Sequence, residues 1–451
     1  MSGSEKLKAS RETAAGILKR LRDAGHEAYF VGGCVRDLLR GVEPGDYDIV
    51  TSARPGDVSS LFPHTVPVGI SFGVVLVVED GNTYEVATFR RESGYEDGRR
   101  PSHVEFTSAK GDVCRRDFTF NALLMDPLSG EIIDFVGGRK DIEDHIIRTI
   151  GNPDERFAED HLRMLRAIRF SANLDYEIEP NTFQAIKRHA SEIKRISAER
   201  IRDEMTKLLT RGGARRGMEM MGQTGLLNEI LPEVAALSGV EQPPKFHPEG
   251  DVWEHTMRML DLLPEGENGE TDSRLAWGVL LHDVGKADTG SVDDAGIHFY
   301  GHVREGERIA DSVMRRLKFP RADVDTILAL IHYHMRFMNV EDMRPNKLKR
   351  FLRIPDFPLH LELHRLDCVA SHGFLDSHDF CVRQLAETSD EELHPPRLLT
   401  GDDLVAMGLP PGPIFGEILE AVEDAQLEGL ISTSEEARRL VLENWADKFQ
   451  R

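Results

Sequence analysis

Two aspartates separated by one residue stand just downstream of a glycine pair. The segment 31–50 reads VGGCVRDLLRGVEPGDYDIV, with the aspartates at Asp46 and Asp48. We expect both carboxylates on one face of a strand, because side chains two residues apart project the same way. Neighbouring carboxylates repel each other unless a cation lies between them, and Mg²⁺ is bound through carboxylates and substrate phosphates. The segment therefore predicts a catalytic magnesium site.

The residues upstream of the aspartates suit a phosphate. Gly32 and Gly33 follow a predicted strand, where glycine lets the backbone come close to a ligand, and the following helix points its N–H groups at phosphate. Arg36, on the first turn of that helix, can reach a triphosphate. Two metal ions at such a site could activate a 3′ hydroxyl and stabilise leaving pyrophosphate. An Asp-x-Asp pair in a surface turn is the alternative, which the glycines and the arginine disfavour.

These residues resemble the signature of the polymerase-β-type nucleotidyltransferase superfamily. More narrowly, they resemble the class II tRNA nucleotidyltransferase and bacterial poly(A) polymerase family. The resemblance implies a third carboxylate on a neighbouring strand, for which Glu85 is the candidate, although a solvent-facing strand residue fits equally well. It also implies that Arg116, Asp117 and Asn121, in RRDFTFNA, contact the sugar and phosphates of the nucleotide. The run 134–138 with Asp141 resembles the hinge motif of the family.

A third motif resembles the one that selects the incoming base in this family. It begins EDHLRMLR and contributes five candidate nucleotide-binding residues: Glu159, Asp160, Arg163, Arg166 and Arg169. On a helix, Asp160 and Arg163 would be neighbours at i,i+3. A carboxylate accepts from an exocyclic amine and an arginine donates to a ring nitrogen, which suits cytosine and adenine but leaves polar groups unpaired against uracil and guanine. A plain helix salt bridge is the alternative.

The choice among products depends on two further segments. Residues 87–101 resemble the flexible loop that CCA-adding and A-adding members have and CC-adding members lack. Residues 66–73 contain no basic residue, whereas poly(A) polymerases tend to have a basic insertion there. We therefore expect addition of CCA from CTP and ATP to the 3′ end of tRNA, with A-addition alone or poly(A) addition as the alternatives.

A second set of residues resembles the HD superfamily of metal-dependent phosphohydrolases. The ordered matches are His255, the pair His282-Asp283, and Asp367. His302 and one of His332 or His334, with His332 as the first candidate, match the extra ligands of two-metal members. Imidazole and carboxylate together suit a transition metal such as Ni²⁺, Mn²⁺ or Fe²⁺, and the resemblance includes relatives that cleave 2′,3′-cyclic phosphates. A chain that is only an HD phosphohydrolase with a nucleotide-binding head is the alternative from another class.

The elements that must position these residues change character along the chain. Residues 1–28 have helical periodicity, short β-type runs with turns follow to residue 150, and the rest is helical. We expect an α+β fold: a nucleotidyltransferase head at 1–150 with a mixed sheet and helices, and then an all-helical remainder. The remainder comprises a neck at 151–240 with the base-selecting motif, an HD-type body at 241–375, and a tail at 376–451. The tail resembles one that supports tRNA binding.

Composition sets broad limits on the 451 residues. The net charge of −22 argues against nucleic acid by itself, but arginines cluster locally at 90–91, 99–100 and 115–116. No apolar run approaches the roughly 20 residues of a membrane helix, so we expect no membrane partner, and the polar N-terminus is not a signal peptide. Four scattered cysteines without a CxxC pair fit a reducing cytoplasm.

Overall fold

The computed structural model describes residues 3–66, 73–95, 101–266, 269–294 and 296–448. The chain forms two compact units. The first comprises Met1–Ala235, Glu265–Thr271 and Arg316–Lys318, and the second comprises Ala236–Pro264, Asp272–Arg315 and Phe319–Arg451. The division into head, neck, body and tail stays a prediction.

A seven-stranded mixed sheet organises the N-terminal part of the first unit. Its strand order is β3-β4-β5-β2-β1-β8-β9. Only β2 and β5 pair in parallel; the other neighbouring strands are antiparallel. The strands and helices of this region are α1 (Gly3–Asp23), β1 (Ala28–Val31), α2 (Gly33–Leu39), β2 (Asp48–Thr51), α3 (Pro55–Leu61), β3 (Thr65–Val66), β4 (Val74–Glu79), β5 (Asn82–Thr88), β6 (Arg90–Tyr95), β7 (Pro101–Phe106), α4 (Ala109–Cys114), β8 (Leu124–Met125), β9 (Ile132–Ile133), α5 (Gly138–Glu143) and β10 (Ile146–Ile147).

The centre of this sheet is apolar, and its turns follow local chemistry. Val31, Val50 and Leu124, from three adjacent strands, belong to one buried cluster. The predicted hairpin turn joins β4 to β5, with Asp80 at φ 51° and Gly81 at φ 75°. Those left-handed values suit the short turns that connect antiparallel strands. The core thus fixes β1, β2 and β5, the strands that border the predicted catalytic residues.

The rest of the first unit is helical apart from β11, which pairs in parallel with β10. Its helix α7 packs against α9. The elements are α6 (Pro153–Glu159), α7 (Leu162–Leu174), β11 (Glu177–Ile178), α8 (Pro180–His189), α9 (Ala198–Thr210), α10 (Ala214–Thr224), α11 (Leu226–Ile230) and α12 (Pro232–Ala235), with a 3₁₀ turn at Ala190–Arg195.

The second unit is also mainly helical. Its C-terminal helices surround a separate apolar cluster that includes Leu404, Ile418 and Val441. The elements are α13 (Val252–Asp261), α14 (Ser273–Leu281), α15 (Lys286–Thr289), β12 (Ser291–Asp293), β13 (Gly296–His298), α16 (His302–Arg316), α17 (Arg321–Tyr333), α18 (Pro345–Leu352), α19 (Phe357–Ala370), α20 (Asp376–Glu387), α21 (Asp390–Leu393), α22 (Gly401–Ala406), α23 (Ile414–Leu427) and α24 (Ser434–Asn444), with a 3₁₀ turn at His334–Asn339.

The expected α+β class, a mixed sheet with helices followed by a mostly helical remainder, is confirmed. One detail differs, because the remainder is not wholly helical. Glu177–Ile178 pairs with β10, and β12 pairs with β13 in a short hairpin. These strands have two or three residues, too few for a periodicity of two to appear in the sequence.

Candidate active sites

The two aspartates of the predicted magnesium site lie at the edge of the central sheet. Asp48 is the first residue of β2, whereas Asp46 precedes the strand and is exposed. The prediction that both lie on the strand is therefore wrong for Asp46. Glu85, on the adjacent strand β5, is also exposed. Burial and the charges of Glu85 and Asp46 raise the pKa of Asp48 to about 7, and Arg116 acts in the opposite direction. Such crowding of carboxylates favours a bound cation.

The glycine pair lies directly against this carboxylate. Gly32 has φ 79° and directly follows β1, and α2 begins at Gly33. A Cβ atom on Gly32 would lie 3.5 Å from Nη1 of Arg116 and 3.8 Å from Oδ2 of Asp48. A side chain at this position would therefore be strained and would fill the space between the arginine and the carboxylate. The structure thus brings Gly32, Asp48 and Arg116 together.

Arg36 is held in place beside the sheet. Its guanidinium donates to both oxygens of Asp37 (2.8 and 2.9 Å) and to Oδ1 of Asn121 (2.9 Å). It also lies over the rings of Phe120 and Phe170, 5.9 and 5.7 Å from the ring centres. These contacts place Arg36 and Asn121, two predicted nucleotide-binding residues, side by side.

Two aspartates hold arginines in and around the RRDFTFNA motif by ion pairs. Asp112, whose side chain is fully buried, accepts from Arg115 (2.7 Å) and from Arg116 (3.2 Å). Asp117 accepts from Nη2 and Nε of Arg166 at 2.6 and 2.9 Å. Burial alone would raise the pKa of Asp117, but the Arg166 guanidinium more than offsets it, so the pKa is lowered. Asp117 therefore serves to fix Arg166, a residue of the base-selecting motif.

Asp160 and Arg163 do not form the i,i+3 helix pair that the sequence predicted. Asp160 has extended backbone angles and lies in the break between α6 and α7. Its Oδ1 accepts from the N–H of Leu162 (3.1 Å), as a residue that begins a helix does, and its Oδ2 accepts from Arg200 at 2.7 Å. The carboxylate is thus fixed by α9, to which Arg200 belongs.

Arg163 has a different set of partners. It donates to Oε2 of Glu159 (2.6 Å), to the carbonyl of Arg156 (3.1 Å) and to the carbonyl of Arg115 (3.0 Å). The side chain is largely buried. Glu159 therefore orients the arginine, and the carbonyl of Arg115 links the motif to the RRDFTFNA segment.

The two motifs line one cavity of about 260 Å³. Arg169 is not part of its lining: it is buried, its Nε donates to Oε2 of Glu204 (2.6 Å), and its guanidinium lies over Phe170. Glu204 also lies 3.6 Å from Arg166. The residues that line the cavity are Arg115, Arg116, Asp117, Asp160, Leu162, Arg163, Arg166 and Arg200.

The segment that resembles the hinge motif is tightly bonded. The carboxylate of Asp134 accepts from four consecutive backbone N–H groups, at positions 136–139. Asp141 accepts from the hydroxyl of Thr119 (2.6 Å) and from Arg148 (3.2 Å). A Cβ atom on Gly138 would lie 2.1 Å from the carbonyl oxygen of Thr119. The helix α5 is therefore held directly against the RRDFTFNA motif.

The two product-determining segments are described only in part. Within 87–101 and just beyond it, β6 pairs with β7 in an antiparallel hairpin, with Arg90 opposite Phe106. Residues 96–100 and 67–72 lie outside the described residues. The predicted mobility of the loop and the significance of the missing basic insertion stay predictions.

Four histidines form a cluster in the second unit, and three of them share one hydrogen-bond pattern. The Nδ1 atoms of His282, His302 and His334 bond to backbone carbonyls at 2.9, 2.8 and 2.7 Å. The Nδ1 of His255 bonds instead to Oε1 of Glu249, at 2.7 Å. The Nε2 atoms of all four rings are buried and make no well-aligned hydrogen bond among the described residues, although carboxylate oxygens of Asp367 and Asp283 lie 3.2 Å from those of His255 and His282. Unpartnered imidazole nitrogens that converge in this way fit a metal ion, with the Nδ1 bonds fixing the rings.

Asp283 lies at the centre of this cluster. It belongs to two groups of potential ligands, one with His255 and His282 and one with His302 and His334. Its Oδ1 lies 3.8 Å from the Nε2 atoms of both His302 and His334. The two groups can therefore hold two ions that share one carboxylate, as in a two-metal site.

Two further residues border the cluster. Asp367 Oδ1 lies 3.2 Å from Nε2 of His255. Lys286 donates to Oδ2 of Asp283 (2.6 Å) and to Gln242 (2.7 Å). A cavity of about 240 Å³ opens onto Asp283, Lys286 and Asp367. A phosphoester in this cavity would meet both the cluster and a lysine.

His334 belongs to this cluster and His332 does not. The side chain of His332 is half exposed, and its Nδ1 pairs with Oε1 of Glu307 at 2.6 Å. Positions 332 and 334 lie about 200° apart around a helical turn, so they face opposite directions. Of the two candidates that the resemblance left open, the geometry therefore favours His334 and not His332.

The charges in the cluster are strongly perturbed. Burial would lower the pKa of His255, but the carboxylates of Asp367 and Glu249 raise it to about 9. Burial lowers the pKa of His334 to about 4. Asp283 is buried, yet Lys286 and His282 hold its pKa well below the usual range. An ionised Asp283 beside a neutral His334 suits a metal ligand set, whereas His255 must give up its proton when an ion binds.

Several residues of the two sites gave no signal in the sequence. In the first unit they are Asp112, Arg200 and Glu204, which hold the arginines and aspartates of the motifs. In the second unit they are Gln242, His247 and Glu249, which lie in a segment that the sequence indicated only as a Pro-rich connector. The partners of Arg200, Glu204 and Gln242 are distant in sequence. Asp112 stands three and four residues before Arg115 and Arg116, a spacing that suggests a helix pair, and Glu249 stands two residues after His247 and six before His255.

Two expectations from composition also have structural counterparts. All four cysteines are free. Among the described residues, each helix is too short or too polar to serve as a membrane span.

Three family profiles match the chain in the order of its elements. Residues 28–148 match the "Poly A polymerase head domain", and residues 252–358 match the "HD domain". Residues 175–237 match the profile described as "Probable RNA and SrmB-binding site of polymerase A". With the sheet, the carboxylates and the cavity described above, they define the class: a nucleotidyltransferase with an HD domain.

Relatives narrow this class. The CCA-adding enzyme of Lactobacillus johnsonii is 34% identical over 422 residues, which cover 93% of this chain and 94% of that protein. The crystal structure of the Bacillus stearothermophilus CCA-adding enzyme in complex with CTP matches with a TM-score of 0.74 and 31% identity, covering 96% and 97% of the two chains. The chain belongs to the CCA-adding enzyme family, a tRNA nucleotidyltransferase family whose chemistry requires a divalent metal ion.

Similarity is higher in part of the chain. The CCA-adding enzyme of Bacillus pumilus is 50% identical over 254 residues, which cover 55% of this chain and 63% of that protein. The Thermotoga maritima enzyme complexed with tRNA has a TM-score of 0.59 at 22% identity, and this likeness concerns the fold alone.

Proposed function

We propose that this chain adds C, C and A in turn to the 3′ end of tRNA, with CTP and ATP as donors. The observation that carries the proposal is one cavity lined by Asp160, Arg163 and Arg116, with Nη1 of Arg116 and Oδ2 of Asp48 both within 4 Å of the Cβ position of Gly32. A base-recognising pair and a metal-binding carboxylate thus border the same arginine. The relatives of this chain are CCA-adding enzymes, one of them with CTP bound.

The head site performs the transfer. Asp46 and Asp48, with Glu85 as the third carboxylate, are hard oxygen donors that would hold Mg²⁺. A bound Mg²⁺ would supply positive charge for the tRNA 3′ hydroxyl and for the leaving pyrophosphate. Gly32 and Gly33 leave room for the triphosphate beside these carboxylates. Arg36 and Arg116 offer positive charge to its phosphates. The 3′ oxygen bonds to the α-phosphorus as the bond to pyrophosphate breaks.

The base is read by two fixed side chains. Asp160 accepts from Arg200 and from a backbone N–H, yet each carboxylate oxygen has two lone pairs, so acceptor sites remain for an exocyclic amine. Arg163, oriented by Glu159, donates to the ring nitrogen next to that amine. Cytosine and adenine both present this pattern. Uracil and guanine place a carbonyl opposite Asp160, which leaves buried polar groups unpaired.

The neck, residues 151–240, contains Asp160 and Arg163, which together act as the template that selects the incoming base. The tail, residues 376–451, supports the tRNA. Addition of A alone and synthesis of poly(A) are less favoured, because the curated relatives described above are CCA-adding enzymes. The four free cysteines and the tRNA substrate fit a cytoplasmic enzyme.

Acceptor length tests this proposal. The protein would be given tRNA transcripts that end before C74 or after C75, and a generic oligo(A), with CTP, ATP or both. We expect three nucleotides on the first transcript with both donors, two with CTP alone, and one A on the second. Repeated addition of A to oligo(A) would identify a poly(A) polymerase, and a lack of C addition would identify an A-adding enzyme.

The HD cluster is a separate centre of phosphoester hydrolysis. The convergent Nε2 atoms of His255, His282, His302 and His334 with the carboxylates of Asp283 and Asp367 suit Ni²⁺, Mn²⁺ or Fe²⁺. Such an ion, when bound, would supply the chemistry that activates a water for attack on phosphorus. Lys286, at the cavity, holds the phosphate by charge.

Hydrolysis of 2′,3′-cyclic AMP with added Ni²⁺ or Mn²⁺ tests the second centre. We expect turnover that persists when Asp46 and Asp48 are both replaced by Ala, while addition to tRNA is lost. Absence of turnover with every transition metal would leave the cluster a structural role. A chain that only hydrolyses phosphoesters would retain all its activity in the double variant and add nothing to tRNA from the start.

A further inference from the structure

One carboxylate of the second unit holds two histidines at once. Oε1 of Glu249 accepts from Nδ1 of His255 at 2.7 Å and from Nδ1 of His247 at 2.9 Å. The side chain of Glu249 is fully buried, and its Oε2 has no hydrogen-bond partner among the described residues. A buried carboxylate needs such partners to offset its lost hydration.

His255 differs from the other rings of the HD cluster in this partner. The Nδ1 atoms of His282, His302 and His334 bond to neutral backbone carbonyls. A carboxylate on Nδ1 fixes the ring orientation and makes the opposite nitrogen a stronger electron donor, because it stabilises positive charge on the imidazole. His255 is therefore the ring of its group whose orientation is fixed by a charged side chain.

His247 shares the carboxylate without joining the cluster. Its ring lies edge-on to that of His255, with 5.0 Å between centres, and it lines the mouth of the cavity. The compact groups around Asp283 contain His255, His282, His302 and His334 but not His247, which lies within ligand distance only of Glu249 and His255, where Glu249 already bonds both rings. Its hydrogen bond to Glu249 helps to keep the buried carboxylate ionised.

We infer that Glu249 is a positioning residue of the HD centre, which holds His255 ready for one of the two ions, while His247 supports Glu249 and is not itself a ligand. The inference rests on the proposed metal-dependent HD site. The two ions should therefore differ in how much their binding depends on Glu249. Binding of the ion held by His255, His282 and Asp283 requires Glu249. Binding of the ion held by Asp283, His302 and His334 does not.

Metal binding to the full chain tests this inference. Metal-free protein would be titrated with Ni²⁺ in excess Mg²⁺, which occupies the head, and bound ions would be counted by calorimetry and elemental analysis. We expect two Ni²⁺ in the unchanged protein. In Glu249→Gln we expect about 10- to 100-fold weaker binding of one ion only. The visible spectrum of the Co²⁺ form should change in parallel, since it reports the loss of an imidazole ligand.

A matched control is available on the same unit. Glu307 pairs with Nδ1 of His332 at 2.6 Å, but the pair is half exposed and outside the cluster. Glu307→Gln makes the same chemical change and should leave both ions bound as before. His247→Phe should also keep both ions, with only a small loss of affinity.

Three results would overturn the inference. Glu249→Gln that binds both ions like the unchanged protein would show that Glu249 does not position His255. An equal loss in His247→Phe would make His247 a ligand. Absence of Ni²⁺ from the unchanged protein would overturn the metal centre as well, so the two failures are distinguishable. If Glu249→Gln does not fold, judged by its unfolding temperature and its addition to tRNA, Glu249→Asp should show a smaller loss at the same ion.

Discussion

Asp160 is the residue on which the proposed choice of base depends. Its carboxylate is held at 2.7 Å by Arg200 and at 3.1 Å by the N–H of Leu162, and it borders the same cavity as Arg163. A carboxylate with fixed orientation can reject a carbonyl by repulsion between lone pairs. This rejection requires that Asp160 stay ionised and in place.

Replacement of Asp160 by Ala should relax base selection and leave the metal site intact. Without the carboxylate, a uracil carbonyl no longer faces an unpaired acceptor, a mismatch that costs about 1–3 kcal/mol. The ratio of kcat/KM for CTP to that for UTP should therefore fall roughly 5- to 150-fold. Glu155→Ala, an exposed position on the preceding helix, is the control. Unchanged exclusion of UTP by Asp160→Ala would refute the template.

His360 gives the second unit a dependence on pH. It is buried on α19, and burial lowers its pKa to about 4, although Asp356 acts in the opposite direction. The unfolded chain would take up a proton near pH 6.5, whereas the folded chain stays neutral until about pH 4. Stability is thus complete above pH 6.5 and decreases as the pH falls below it.

In His360→Phe the loss of stability in acid should be smaller. The contribution of this one group amounts to at most about 1.4 kcal/mol per pH unit between pH 6.5 and 4. Thermal unfolding of the second unit at pH 7.5, 6 and 5 measures it as the difference between the two proteins. A difference that is the same at every pH would show that His360 does not remain neutral in the folded chain.

The helix α9 holds the residues of the proposed base-selecting template, although α9 itself lies outside that sequence motif. Arg200 holds Asp160, and one turn later Glu204 holds Arg169 at 2.6 Å and lies 3.6 Å from Arg166. Two residues of α9 therefore hold three side chains of the predicted base-selecting motif, namely Asp160, Arg166 and Arg169. The precision of the template depends on how α9 packs on α7.

Arg200→Ala should reduce base discrimination in the same direction as Asp160→Ala, because the carboxylate loses its main charged partner. We expect a loss of several-fold in the preference for CTP over UTP, smaller than in Asp160→Ala, and no further loss when both changes are combined. Glu199→Ala is the control, since Glu199 is on the same helix but pairs with Lys318. Full selectivity in Arg200→Ala would show that Leu162 alone is sufficient to fix Asp160.

The sequence predicted the elements more reliably than the pairings between them. Strands β1, β4 and β5 and the turn at Asp80-Gly81 follow from local patterns. The helical pair of Asp160 with Arg163 does not form, because aspartate favours the start of a helix over its interior. Its true partner, Arg200, is 40 residues away, and no local spacing can indicate such a pairing.

Helix α16 packs so closely against Gly285 that a Cβ atom at this position would clash with its backbone. A Cβ atom on Gly285 would lie 2.2 Å from the carbonyl oxygen of His302 and 2.5 Å from the backbone nitrogen of Gly306. Both atoms belong to α16, the helix that begins at His302. A side chain at position 285 must therefore displace the helix that contributes a predicted ligand.

Gly285→Ala should weaken metal binding at the HD cluster while addition to tRNA stays unchanged. Displacement of His302 should weaken binding of the ion that it shares with His334 most strongly, by about tenfold or more, the loss typical when a ligand is no longer held in place. Gly416→Ala, within helix α23 and with nothing near its Cβ position, is the control. Normal Ni²⁺ binding by Gly285→Ala would mean that α16 can shift without moving the ring.

At the scale of the whole molecule, two chemically different centres lie in two compact units. The first is proposed to use oxygen donors at Asp46 and Asp48, and the second is proposed to use imidazoles around Asp283. The sequence contained candidate motifs for both centres, and the roles of their residues stay predictions. Their supporting residues, such as Glu204 and Glu249, could not be identified from the sequence, because a buried glutamate is recognised only by the side chains that the fold brings to it.

The acidic composition also shows that the sequence alone could not reveal the charge at the site. A net charge of −22 disfavours a nucleic-acid partner, yet the cavity of the first unit is lined by five arginines, at 115, 116, 163, 166 and 200. Local charge at a site, and not the total over the chain, decides what binds there. Only the fold could assemble residues from three separate segments into one positive cavity.

The most direct test of the central claim is the sequence of nucleotides that this chain adds to a tRNA lacking its last three residues. All four nucleoside triphosphates would be supplied at equal concentration with Mg²⁺, and the 3′ ends would be sequenced. We predict ends that read C, then C, then A, and that stop there, with U and G absent. Ends of A alone, long runs of A, or frequent U in place of C would contradict the account.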